Sequence, residues 1–218
     1  MKYFIKISGV FLLVVTASSA LAYFLWYRPK FSRHAGSQDF SYLKAHSERS
    51  TLLRLKQRAS VIKEYARLNN YNPKHCFLVD MKLASGEKRF FVYDLLKDSV
   101  ELAGLVAHGS GSDKGGNDLY FSNTPNSLCT SLGKYRIGKP YTGTFGLSYK
   151  LYGLDLTNSK AFERFVVLHG HACVPNDEVA PLPICESWGC PTVAPAFLES
   201  LKNYIDKSER PMLLWIYY

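Results

Sequence analysis

A mainly β domain with a few helices is the fold class predicted by two patterns in this 218-residue chain. From Cys76 to the C-terminus, short apolar runs rich in Val, Ile, Phe and Tyr recur between turns rich in Gly, Ser, Asn and Pro. Only two stretches beyond residue 49 keep a helical period, and neither internal repeats nor low-complexity tracts interrupt the pattern.

Taken in order, the chain opens with Lys2 and Lys6 ahead of a nearly continuous apolar run, Ile7 to Tyr27, closed by Arg28 and Lys30. At about 1.5 Å per residue such a run spans roughly 30 Å as a helix, the thickness of a bilayer core. The basic start and the small residues Ala17 to Ala22 describe a cleavable signal peptide, whereas the aromatics Tyr23, Phe24, Trp26 and Tyr27 describe an interfacial belt and hence an anchor. Either reading gives residues 1–30 as an export segment, with the inner membrane as a partner if it is retained. Residues 31–49 are polar and read as a linker. Over 50–70, Leu52, Leu55, Ala59, Ile62 and Ala66 recur at spacings of three and four, predicting an amphipathic helix that packs on the following domain and stops at Asn69, Asn70, Asn72 and Pro73.

Residues 71–218 form that domain. Phe77 to Met81, Arg89 to Leu95, Leu102 to Ala107, Lys134 to Ile137, Gly146 to Leu151, Val166 to Leu168 and Pro211 to Tyr218 read as strands, and Ala194 to Ile205 as a helix. The Gly- and Ser-rich region from His108 to Leu154 fits neither dinucleotide nor phosphate-loop spacing, and predicts short strands and loops over one face of the sheet.

The formal charge of +9 comes without a basic run or a nucleic-acid motif, so it describes a basic surface rather than a nucleic-acid partner. Five cysteines, 76, 129, 173, 185 and 190, leave at least one thiol unpaired; four of them allow three connectivities, and Cys190 is the one expected to stay reduced.

The chemistry concentrates between Phe165 and Pro195. His169 ends an apolar strand and Cys190 ends a Pro-rich excursion from it. A thiol near pKa 8.5 needs a base, and His169 at a rigid strand end is the first candidate; His171 competes, although Gly170 breaks the register that would put both on one face. Gly189 permits close backbone approach, and the amides of Gly189 and Cys190 are candidates for an oxyanion hole. Ser187 is a hydrogen-bonding support, and Trp188 a wall or stacking surface for substrate.

His169 and Gly170, a spacer, then Ser187, Trp188, Gly189 and Cys190 resemble the signature of the L,D-transpeptidases, cysteine enzymes of bacterial peptidoglycan. VAHGSGS (106–112), FSNTP (121–125), SLGKYRIG (131–138), YTGTFG (141–146) and YGL (152–154) extend the resemblance, to the murein L,D-transpeptidase catalytic domain family, over Phe77 to Tyr218. The resemblance implies a β-sandwich-like catalytic domain exported to the periplasm or cell envelope. It implies a Cys190 thioacyl intermediate on tetrapeptide stems, resolved by an amine or by water, with His169 as base and no metal or organic cofactor. Two departures stand out. Trp188 occupies a position where the wider family carries histidine, for which His108 is a substitute on the substrate side. Cys173 and Cys185 in the spacer raise the alternatives of a disulfide clamping the loop or two separate thiols.

Two rival readings follow from the same residues. One is a zinc site built from His169, His171 and the nearby cysteines, whose spacings match no standard framework. The other is a non-catalytic envelope protein that binds peptidoglycan with the same fold.

Overall fold

The computed structural model describes residues 15–27, 37–116 and 118–218. Residues 15–22 are helical and continue into a π-helical turn, Tyr23–Tyr27, with exposed side chains. The beginning of the apolar run Ile7 to Tyr27 lies outside the described residues, and so does the 28–36 part of the expected export segment and linker. Among the described residues no helix is long and apolar enough to cross a membrane.

The chain divides into two units, Met1–Ser50 and Thr51–Tyr218. Helix α1 runs over Ser37–Leu68 and so takes in 37–49, which its polarity had marked as linker. The helical conformation there fits the residues: Gln38, Leu43, Lys44, Ala45, Glu48 and Arg49 are good helix formers, and Gly36 lies before them. Within the second unit, the face formed by Leu55, Ala59, Ile62 and Ala66 is buried against Cys76, Leu78, Tyr93, Leu213 and Trp215. Leu52, one turn earlier, is 45% exposed and falls outside this stripe. Arg54 Nε lies 2.7 Å from Asp80 Oδ2, and Asn70 takes the left-handed conformation that ends helices.

Nine strands form one sheet: β1 His75–Asp80, β2 Phe90–Asp94, β3 Ser99–Gly104, β4 Val106–Ala107, β5 Gly133–Gly143, β6 Gly146–Gly153, β7 Val167–Gly170, β8 Thr192–Val193 and β9 Leu213–Tyr217. Their order is β3-β2-β1-β9-β5-β6-β7-β8-β4, with β1·β9 and β7·β8 parallel and the other pairs antiparallel. The domain is mainly β, as expected. Alternation along β1 explains its two cores: Cys76 and Leu78 face α1, whereas Phe77 and Val79 face the interior cluster with Val106, Tyr149, Leu168 and Leu214. Helix α2, Pro195–Asp206, starts with proline in its first turn and buries Leu198 and Leu201 in that interior.

The expected single strand from Leu102 to Ala107 is two. It breaks at Leu105, and the halves lie at opposite edges of the sheet. Edges joined through one residue must approach each other, so the sheet curls toward a barrel. The buried Arg89 fastens this seam: Nε and Nη2 donate to Val106 O at 3.0 and 2.9 Å, Nη1 donates to Leu83 O, and Nη2 donates to His108 Nδ1 at 2.9 Å.

Candidate active site

The chain leaves the sheet at the end of β7 and returns as its parallel neighbour β8, with His169 opposite Thr192 in the register. Cys190 therefore arrives two residues before Thr192, beside the strand that carries the histidine. Parallel pairing needs a long crossover, and 171–191 supplies it as an irregular loop rather than a helix. The loop is closed by a Cys173–Cys185 disulfide, while Cys76, Cys129 and Cys190 are free thiols. Two thiolates of the zinc reading are consumed in this way. The described residues contain two other groups close enough to share an ion, His75/Asp94/Glu101 and His108/Asp113/Glu186, and neither is the set expected from sequence.

Cys190, His169, His171, Ser187 and Trp188 all line a cleft of about 630 Å³, together with Tyr141, Phe145, Arg164, Phe165, Val167, Glu186 and Thr192. The half-buried thiol accepts the Val167 N–H at 3.4 Å and donates to Phe165 O at 3.8 Å. Burial pushes its pKa up; the Val167 hydrogen bond and the charge of Arg164 offset only part of this, so the resting group is a thiol.

His169 is 4% exposed. A carbonyl can only accept, so the contact with Gly170 O at 3.2 Å puts the proton on Nδ1, and Nε2 accepts from the Thr192 hydroxyl at 2.9 Å. Burial lowers the His169 pKa, only partly offset by the Gly170 contact, and the neighbouring His171 lowers it further. Phe145 stacks on the ring with centroids 4.3 Å apart. The imidazole is thus neutral and oriented on both sides, with its one accepting lone pair held by the Thr192 hydroxyl. His171 is exposed, and its Nδ1 accepts the Cys173 amide at 3.2 Å; the strand ends at Gly170, so the two histidines differ in surroundings and not only in position.

Ser187 organises the turn. Its hydroxyl donates to Cys190 O at 2.7 Å and accepts the Gly189 amide at 3.1 Å, and its own amide donates to His108 O at 2.8 Å. The Gly189 amide is therefore spent on Ser187, so of the expected pair only the Cys190 amide remains a candidate donor. Gly189 itself has φ +109, and a Cβ there would lie 2.7 Å from Cys129 O. Any larger residue would push Cys190 out of place.

His108 does not line the cleft, contrary to the expectation that it substitutes for a second histidine on the substrate side. It follows directly on β4, where Arg89 donates to Nδ1 and the Ser187 amide donates to its carbonyl. That fixes the proton on Nε2, which has no hydrogen-bond partner and sits 3.7 Å from Glu186 Oε1. A protonated Nε2 also has no lone pair for an ion, which disfavours a metal between His108, Asp113 and Glu186.

Arg164, Thr192, Phe145 and Phe165 were missed from sequence. Arg164 donates to Ser122 O at 2.9 Å and to Cys129 O at 2.6 Å, tying the 109–132 loop to the thiol. Thr192 could have been found by counting two residues from Cys190 along the apolar run that follows it. Phe145, inside the glycine-rich YTGTFG motif, carried no such signal.

A family model described as L,D-transpeptidase catalytic domain matches residues 49–217. No curated protein matches the chain. Among solved structures, the helical cell shape determining protein Pgp2 from Campylobacter jejuni is 12% identical with a TM-score of 0.42, covering 71% of this chain and 54% of that one. Bd1075 from Bdellovibrio bacteriovorus is 16% identical at a TM-score of 0.41, covering 66% and 48%. The L,D-transpeptidase from Xylanimonas cellulosilytica is 13% identical at 0.37, covering 71% and 68%. This chain spans about half the length of the first two.

Proposed function

Because the chain belongs to the L,D-transpeptidase catalytic domain family, we propose that Cys190 is the nucleophile of an acyl transfer on peptidoglycan tetrapeptide stems. The observation that carries this reading is the β7–β8 register, which sets a free thiol and a neutral, doubly oriented imidazole in one cleft.

As Sγ attacks the carbonyl of the third stem residue, the Thr192 hydroxyl turns from His169 Nε2 to Cys190 O, 3.4 Å away, the freed Nε2 lone pair takes the thiol proton, and the oxyanion forms within reach of the Cys190 amide. Collapse breaks the peptide bond, the leaving D-alanine amine takes the proton from the imidazolium, and a thioester remains. An amine or water then adds to the thioester, gives a proton to His169, and releases Cys190 as thiolate to be reprotonated. Trp188 and His171 line the same cleft, which supports their contacting the stem. Export to the periplasm or cell envelope, through the apolar run Ile7 to Tyr27 as a cleaved signal or anchor, is part of the same reading; a disulfide between Cys173 and Cys185 suits that compartment.

Incubation with a disaccharide-tetrapeptide followed by intact-protein mass spectrometry tests the proposal. An acyl adduct on Cys190, absent in Cys190→Ala, is the expected result. Identical muropeptide products from wild type and Cys190→Ala would overturn it and leave the non-catalytic, peptidoglycan-binding reading.

A further inference from the structure

Phe165 holds a backbone conformation that its side chain does not favour, and its side chain is not used by the fold. Its φ is +55, the left-handed region, where a bulky residue is an outlier. The reason lies in the turn: Val166 N donates to Ala161 O at 2.9 Å and Phe165 N to Phe162 O at 3.1 Å, closing a helical turn at the position where glycine is the common choice. The turn itself is needed, because it aims the Phe165 carbonyl at Cys190 Sγ and delivers the Val167 amide to the same sulfur. The ring is not needed for any of this. It is 84% exposed, so it adds almost nothing to the core.

A strained backbone that carries an exposed aromatic side chain beside a nucleophile indicates a role realised in a bound state. Phe165 lines the cleft, as does Trp188, and their side chains stand largely exposed, at 84% and 79%. We propose that the Phe165 ring is a substrate-binding element, a contact surface for the part of the acyl donor that flanks the carbonyl attacked by Cys190. The occupant follows from position: the backbone of Phe165 touches the sulfur, so whatever covers the ring is continuous with the group that the sulfur attacks. This rests on the acyl-transfer reading above.

The test uses the full chain, the disaccharide-tetrapeptide donor and two variants. Phe165→Gly keeps the left-handed turn, hence the carbonyl and amide on Cys190, and removes only the ring; Phe165→Tyr keeps a ring. For Phe165→Gly the expected result is a Tm unchanged or raised by about 2–4 °C. Cys190 should alkylate at the wild-type rate, and KM should rise about tenfold with kcat little changed. Phe165→Tyr should restore KM. A Tm lowered by several degrees in Phe165→Gly would show the ring to be structural, and an unchanged KM would show that it does not meet the donor; either overturns the proposal. Wild-type protein that forms no Cys190 adduct would instead remove the acyl-transfer reading, and this inference with it.

Discussion

His169 offers its accepting nitrogen to the Thr192 hydroxyl at 2.9 Å, and the thiol of Cys190 meanwhile donates to the Phe165 carbonyl. The imidazole and the thiol share one cleft but are not hydrogen-bonded to one another. Apo sites often show long catalytic contacts that tighten with substrate. Here the parallel register supplies the reason, because the residue opposite His169 in β8 is Thr192 and not Cys190.

Thr192 is therefore expected to hold the imidazole plane for proton transfer. Thr192→Val, which keeps the shape and removes the hydroxyl, should lower kcat roughly tenfold, part of the about 10²–10⁴ that a positioned base contributes. Thr192→Ser should recover most of it. Steady-state kinetics on a stem-peptide donor, with KM unchanged in Thr192→Val, checks the assignment.

Cys190 is pushed up and His169 down, so the resting pair is thiol and imidazole rather than thiolate and imidazolium. His169 becomes charged, and useless as a base, only as pH falls through a pKa below its ordinary 6.5. The acidic limb of kcat/KM should accordingly lie below pH 6.5, with activity sustained through pH 8. In the absence of substrate, iodoacetamide should alkylate Cys190 more slowly at pH 7 than a free thiol, and the rate should climb above pH 9. A fast reaction at pH 6 would show a preformed ion pair instead.

Local periodicity made the framework of strands legible: the apolar runs at Phe77, Phe91, Tyr149, Val167 and Leu214 are all strands, because burial on both faces demands continuous β-branched and aromatic residues. The break at Leu105 was not legible, since nothing in VELAGLVA marks one strand end and the next beginning; only closure of the sheet requires it. The site divides in the same way. Ser187, Gly189 and Cys190 stand in one short motif and His169 at a strand end before it, each with a chemical signature of its own. Arg164, Phe145 and Thr192 act through pairing and packing that no spacing encodes, and His108, which resembled a substrate-facing residue, is turned inward by the seam that Arg89 fastens.

The Cys173–Cys185 disulfide closes a loop of sequence separation 12 around one wall of the cleft. Removing a crosslink of this length frees the unfolded chain by about 3 kcal/mol. For a chain of this size that corresponds to a Tm lower by roughly 6–12 °C. Thermal unfolding of the Cys173→Ser/Cys185→Ser double variant checks the figure. Because Cys173 and Glu186 line the cleft, KM of that variant should rise as well, whereas a loss of stability alone would mean that the loop is held by Val174 and Ile184 in their own small core.

His108 carries a second pH effect, on stability rather than rate. Burial, then the charge of Arg89, push its pKa down to about 4, with Asp113 opposing. The unfolded chain, with a histidine near 6.5, binds a proton that the folded protein refuses, so stability is whole above pH 6.5 and is lost as pH falls toward 4. The shift corresponds to about 3 kcal/mol at its limit, and His169, lowered in the same direction, adds to it. Urea unfolding followed from pH 7 to pH 4 should show this decline, and His108→Gln should flatten it. A decline of equal size in His108→Gln would assign the effect to carboxylates such as Asp94, which desolvation pushes up but the Lys97 and Leu96 amides hold below the usual range.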